Sequence, residues 1–234
     1  MDRQILAKLN ELRRGRQAVI LVTDLSGRPD RLIVEGDALD GALADAAASA
    51  FRSGKSTAVE LEGQSLFLNV HLPPPRIVVI GAVHISQVLA RMAALAGFDV
   101  TIIDPRTAFA TPERFAGVRV LAQWPEDALA AAPLDRYSAI CLLTHDSKID
   151  DRALVHALRA DCFYIGALGS RKTHAKRLER MRAEGFDEAA LARIHAPIGL
   201  DIGAVSPAEI AVSIMGEIIA AQRKKALRAE RAAM

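Results

Sequence analysis

The segment Gly166-Ala167-Leu168-Gly169-Ser170-Arg171-Lys172-Thr173-His174 concentrates what an anion needs from a protein. Two glycines free the backbone, Ser170 is placed to cap a following helix, and Arg171 and Lys172 flank the amides that such a helix start exposes. Unpaired N–H groups and the helix dipole draw anions to helix N-termini. Gly166, Gly169, Ser170, Arg171 and Lys172 therefore read as a phosphate-type site. Lys176, Arg177 and Arg180, further along, read as a solvated helix face.

A second candidate is the turn Gly81-Ala82-Val83-His84-Ile85-Ser86, between an apolar run and an amphipathic one. That is the context of a dinucleotide fingerprint, with Asp104 placed as the ribose-binding acid and Arg106 beside it. The turn departs from the fingerprint at Val83, where glycine lets the backbone approach a pyrophosphate; a β-branched side chain obstructs that approach and resists positive φ. Three readings stay open: a dinucleotide such as NAD(P) in a shifted pose, another phosphorylated ligand, or an empty turn. His84 faces either the ligand or solvent, and Gln87 shares its rim. Asp104 accepts from a ribose hydroxyl, Arg106 meets a phosphate, or the two form a plain surface pair.

Thr144-His145-Asp146-Ser147-Lys148 is a polar run after an apolar strand. His145 and Asp146 suit acid–base work. Adjacent residues rarely converge on one atom, so no metal site is expected, and Asp146 competes as a helix cap. Asp150 and Asp151 fit a helix N-terminus. Gly199 and Gly203 allow tight turns, and Asp201 between them points into a crevice or closes its own turn. Hydrolase elbows, P-loops and zinc spacings are missing. Cys141 and Cys162 sit in apolar runs and read as buried thiols.

These residues need a scaffold, and the pattern provides one. After Pro73-Pro74-Pro75, strands are expected at Arg76–Ile80, Asp99–Ile103, Val118–Leu121, Ser138–Leu143 and Cys162–Ile165. Helices are expected at residues 84–97, 149–160, 171–184 and 188–194. Alternation of this kind implies a parallel sheet with helices on both faces, a Rossmann-like α/β fold. Ser206-Pro207-Ala208-Glu209 is a capping box opening a last helix. Before the prolines, an α-β-β-α-β-β order suggests a small α+β domain. The expected division is 1–72, a linker at 73–75, 76–225, and a basic tail at 226–234.

The chain has 234 residues, 51% hydrophobic and 25% charged, with a net charge of +2, so no overall field favours nucleic acid. No run approaches the roughly 18 apolar residues of a membrane span, and no signal peptide is visible, so the expected location is cytoplasmic.

Taken together, Val79-Ile80-Gly81-Ala82-Val83-His84, Thr144-His145-Asp146, Tyr164 to Lys172, and His195 to Ala204 followed by Ser206 to Ile210 resemble the XdhC/CoxI family over roughly residues 76–222. The resemblance implies a molybdenum cofactor-binding maturation chaperone. Such a protein protects the cofactor and delivers it to a xanthine dehydrogenase-type molybdoenzyme; family habit and the alanine-rich helices add a homodimer. It places the Gly81–His84 turn and the Gly166–Lys172 loop near the cofactor. The chain departs from the family pattern at Val83 and in having no cysteine before Cys141. An NAD(P)-dependent oxidoreductase and a ligand-free interaction module are the alternatives.

Overall fold

The computed structural model describes residues 2–231. As far as Arg223 the chain divides into two compact units, one ending at Pro73 and the other spanning Pro74–Arg223.

The first unit runs α1 (Arg3–Arg14), β1 (Val19–Asp24), β2 (Arg31–Val34), α2 (Gly41–Ser53), β3 (Thr57–Leu61) and β4 (Gln64–His71). This is the expected α-β-β-α-β-β order. The strands form an antiparallel sheet in the order β2-β1-β4-β3. Central β1 carries the core residues Val19 and Ile20, both fully buried. Asp2 caps α1 by accepting from the Gln4 amide, and Leu9 and Leu12 of α1 pack on Val19.

The second unit contains β5 (Arg76–Ile80), α3 (His84–Leu95), β6 (Asp99–Ile103), β7 (Arg119–Leu121), α4 (Pro125–Ala131), β8 (Ser138–Leu142), α5 (Ser147–Arg159), β9 (Tyr164–Ala167), α6 (Arg171–Ala183), α7 (Glu188–Leu191), β10 (Ile194–His195) and α8 (Pro207–Arg231). Its six strands are all parallel, in the order β10-β9-β8-β5-β6-β7. Strands buried on both faces alternate between two cores. Ile77 and Val79 of β5 face α3 and α8, where Leu89, Ala93, Ile214 and Ile218 pack. Val78 and Ile80 face the other side, with Leu129 of α4, Leu154 of α5 and Met181 of α6. The chain builds outward from β5 through β6 to β7, then returns to lay β8 on the other side of β5. The order therefore reverses between β5 and β8, and the crevice outside their carboxyl ends is where open α/β sheets bind ligands.

Several elements differ from the sequence expectation. β9 starts at Tyr164, two residues later than expected. The helix expected over 188–194 is a single capped turn, α7, followed by β10 on the sheet edge. Arg193 explains the change: its guanidinium donates to the carbonyls of Leu158 (3.0 Å) and Ala160 (2.7 Å), drawing the chain back beside β9. α4 was not anticipated, although Pro125 at its first position and Glu126 and Asp127 in its first turn are ordinary helix-start signals. The basic tail expected over 226–234 continues α8 to Arg231, because Ala226-Leu227-Arg228-Ala229-Glu230-Arg231 contains only good helix formers; residues 232–234 lie outside the described residues. The capping box forms as expected, the Glu209 amide donating to Ser206 Oγ (3.2 Å) and the Ser206 amide to Glu209 Oε2 (2.9 Å).

Candidate functional site

The first turn, after β5, is built against the loop after β8. Gly81 has φ +115°, and a Cβ there would come within 2.9 Å of Thr144 Cγ2 and 3.2 Å of the Thr144 amide nitrogen. Only glycine lets the two loops meet at the switch point. Val83 is the N-cap of α3 with φ −98° and ψ 176°. No positive φ is required of it, so that part of the sequence objection falls; what remains is a half-buried side chain where the fingerprint has none. Ser86, fully buried, donates to the Gly81 carbonyl (2.5 Å) and ties the start of the helix to the turn. His84 is exposed on the rim, while Gln87 donates inward to the Arg114 carbonyl (3.1 Å).

Asp104, at the end of β6, is fully buried and committed to the protein. It accepts from the Ala82 amide (2.8 Å), the Arg106 amide (2.9 Å), Arg106 Nε (2.9 Å) and Arg106 Nη2 (2.7 Å). Four bonds use the acceptor capacity of a carboxylate. Burial alone would raise its pKa, but the bonds from Arg106 and Ala82 hold it below the ordinary value. Asp104 thus braces the first turn and aims Arg106. That guanidinium lies 4.7 Å from the Phe109 ring centroid and feels the carboxylates of Asp146 and Asp150.

The polar run after β8 separates into two roles. His145, with φ +62°, and Asp146 are exposed on the rim, and Asp146 caps α5 by accepting from the Lys148 amide (2.9 Å). Thr144 turns inward and donates to Asp150 Oδ1 (2.7 Å). Asp150 is only 1% exposed, so it is a buried acid rather than a surface residue at a helix start, and burial pushes its pKa up to about 6.

The loop after β9 keeps the expected cap. Ser170 accepts from the Thr173 amide (3.2 Å) at the start of α6, and Arg171 and Lys172 are exposed beside it. Of the two glycines, only Gly169 has a positive φ (+133°). Gly166 serves packing: a Cβ there would overlap the Tyr164 hydroxyl and Ile198. Arg177 is a correction. It is 3% exposed, not part of a solvated face, and its Nη2 supports the loop from beneath through the Leu168 carbonyl (2.9 Å). Arg180 is also engaged, pairing with Asp151.

After β10, Gly199 (φ +94°) donates its amide to Glu217 Oε2 (2.7 Å), while Asp201 remains exposed away from that bond. Glu217 also accepts from the Tyr164 hydroxyl (2.6 Å) and meets His195 Nδ1 (2.8 Å). This Tyr164–His195–Glu217 cluster was missed from sequence, as were Asp150 and Arg177. The signal existed in each case. Glu217 is seven residues after Ile210, Asp150 seven before Ala157 and Arg177 four before Met181, so each charge falls on the apolar stripe of its helix.

The crevice thus brings together the Gly81–His84 turn, Arg106 and the Thr144–Asp146 loop. Gly166–Lys172 lies on the neighbouring loop, and Gly199 and Asp201 belong to the loop after the edge strand. Among the described residues no three His, Cys, Asp or Glu side chains are grouped to hold a metal ion. Cys141 and Cys162 are free and buried, and burial raises both thiols, Cys162 to about 12.

Topology, switch point and first turn define a Rossmann-type α/β domain. The model of the XdhC Rossmann domain matches residues 77–218, and the chain belongs to that family. Among curated proteins it is 35% identical over 155 residues to the uncharacterized protein YqeB of Escherichia coli, covering 66% of this chain and 29% of that one. It is 30% identical over 164 residues to a probable xanthine dehydrogenase subunit of Bacillus subtilis, covering 70% and 48%. It is 30% identical over 146 residues to the molybdenum cofactor insertion chaperone PaoD of Escherichia coli, covering 62% and 40%. The chain therefore spans less than half the length of each. A crystal structure of a xanthine dehydrogenase from Bacillus halodurans shares the fold, with a TM-score of 0.62 and 22% identity over 95% of this chain and 65% of that one. No helix among the described residues is long and apolar enough to cross a membrane.

Proposed function

We propose that this chain is an accessory protein that binds molybdenum cofactor at the carboxyl edge of its parallel sheet and delivers it to a xanthine dehydrogenase-type molybdoenzyme. The observation that carries the reading is the capped start of α6. There Ser170 orders the first turn, and Arg171 and Lys172 stand free to meet the phosphate of a pterin. The relative named as an insertion chaperone supports the same role. The donor set fits the organic part of the cofactor rather than its metal, because neither buried thiol is placed to act as a ligand. When bound, the group supplies the molybdenum centre of the target enzyme. The residues of this chain hold and orient it: Arg171 and Lys172 at the phosphate, with Arg106, aimed by Asp104, as a further cation on the crevice. Action by binding and delivery, as a cytoplasmic homodimer, belongs to this reading.

Arg171→Ala combined with Lys172→Ala tests it. Both side chains are exposed, so the melting temperature stays unchanged. Equilibrium dialysis with cofactor released from a donor enzyme shows affinity falling about tenfold or more, as loss of two charge-assisted contacts implies. Equal affinity in the double variant sinks the assignment.

A further inference from the structure

α8 turns an apolar strip outward. Its inner face carries Ala211, Ile214, Met215 and Ile218 into the core, yet Val212 is 49% exposed and Ile219 39%. Val205, just before the helix, is 86% exposed. Leu200, also exposed, lies over Gly216, where a Cβ would come within 3.0 Å of Leu200 Cδ1. Of the eleven large apolar side chains exposed among the described residues, five fall between Leu200 and Ile219. Single apolar residues scattered over a surface need no explanation, whereas a contiguous strip marks an interaction face.

The spacing of the strip fits a helix as its partner. Val205, Glu209, Val212, Gly216, Ile219 and Arg223 follow one another at intervals of four, three, four, three and four residues, and all but Gly216 are exposed. That alternation is the seam of two packed helices, here about 27 Å long at about 1.5 Å per residue. The charges choose which helix. Glu209 and Arg223 each stand seven residues from Gly216. A second copy of α8, antiparallel about a two-fold axis at Gly216, sets Glu209 of each copy against Arg223 of the other and brings Val212 close to Ile219. A parallel copy would oppose Glu209 to Glu209 and Arg223 to Arg223. Glu209 can take this further partner: its Oε2 accepts from the amides of Val205 (2.8 Å) and Ser206 (2.9 Å), and Oε1 carries neither bond. Gly216, a residue that weakens a helix interior, makes room for Leu200 at the centre of the strip.

We propose that this strip is an isologous interface, on which a second copy of the chain packs its own α8 antiparallel. A two-fold contact uses one patch on both subunits, so the patch must complement itself. The strip does so in charge, with an acid and a base at equal distances from its centre, and in shape, with Leu200 of one copy meeting Leu200 of the other on the axis. A foreign protein would impose no such symmetry. The interface gives a surface to the homodimer of the proposed function, but it is carried by α8 and the loop before it, so pairing and cofactor binding can fail separately.

The test is sedimentation equilibrium of the full chain between about 1 and about 200 μM, a range that reads the dissociation constants of small interfaces. The native protein passes from monomer to dimer as its concentration rises. Val212→Glu, at a half-exposed position, keeps the melting temperature and weakens the dimer about tenfold or more. Glu209→Arg and Arg223→Glu each weaken pairing through like charges. An equimolar mixture of those two variants pairs again, because every charged contact in the mixed dimer joins opposite signs. Glu209→Arg also gives up the capping box, so Leu200→Cys supplies an independent measurement. Under mild oxidation it forms a covalent dimer faster than Leu95→Cys, a more open position on α3, because a residue on the axis meets its own copy. Cys141 and Cys162, both buried, stay out of the reaction. A monomer throughout the range, a dimer untouched by Val212→Glu, a mixture of two folded charge variants that stays monomeric, or cross-linking no faster through Leu200→Cys than through Leu95→Cys overturns the interface. Retention of molybdenum cofactor in any of those events leaves the wider reading standing.

Discussion

Asp150 links the chemistry of the crevice to the stability of the fold. Its carboxyl is pushed up to about 6 from an ordinary 3.8, mainly by burial, with the Thr144 bond and the Arg177 charge opposing the rise. A carboxyl raised in the folded state binds its proton more tightly there than in the unfolded chain. Its contribution to stability is therefore full below the unfolded value and is lost as pH rises from about 4 through about 6. A shift of that size corresponds to about 3 kcal/mol. Urea unfolding of the native protein and of Asp150→Asn between pH 4 and 7 checks this: the difference between them widens in favour of Asn as pH rises. Equal pH profiles would remove Asp150 as a titrating group. Glu217 behaves oppositely. Burial would raise it, but bonds from His195, Tyr164 and Gly199 bring it below the ordinary value. The contacts around these residues were out of reach of the sequence, because they are set by elements far apart in the chain, 53 residues in the case of Tyr164 and Glu217. Their unusual burial was legible from the apolar stripes on which they stand.

At the scale of elements, the first turn depends on Gly81 more than on the position that the fingerprint emphasises. Gly81→Ala forces a Cβ into the Thr144 side chain and backbone while φ stays near +115°. Backbone strain of this kind costs of order 1–3 kcal/mol, and chemical unfolding should show a loss in that range. Val83→Gly should show a smaller loss, limited to the packing of its half-buried side chain on the core, since Val83 already adopts an extended N-cap conformation that glycine also favours. A stability loss in Val83→Gly exceeding that of Gly81→Ala would reverse this assignment. Strands long enough to show an apolar run, such as β5 and β8, were legible directly. The two-residue β10 was not, because two residues carry no period, and its place follows from pairing with Ile165 and Gly166. The cap of α6 was legible because Ser170 is a local signal; the burial of Arg177 on the same helix is a tertiary one.

At the scale of the whole domain, strand order alone does not decide the ligand. The order β7-β6-β5-β8-β9-β10 is that of dinucleotide-binding sheets, and it would accommodate NAD(P) as readily as a pterin. The decision falls to the end of β6. In a dinucleotide site the acid there meets a ribose hydroxyl, whereas the four bonds of Asp104 already go to Ala82 and Arg106. A ribose would have to displace Arg106 from a buried carboxylate. A ligand present at a thousand times its dissociation constant stabilises a fold by about 4.1 kcal/mol. NAD(H) and NADP(H) at millimolar concentration should therefore leave the melting temperature unchanged, while molybdenum cofactor at saturating concentration raises it. A clear rise with either nicotinamide cofactor would show that Arg106 yields its partner, and would move the domain toward redox chemistry.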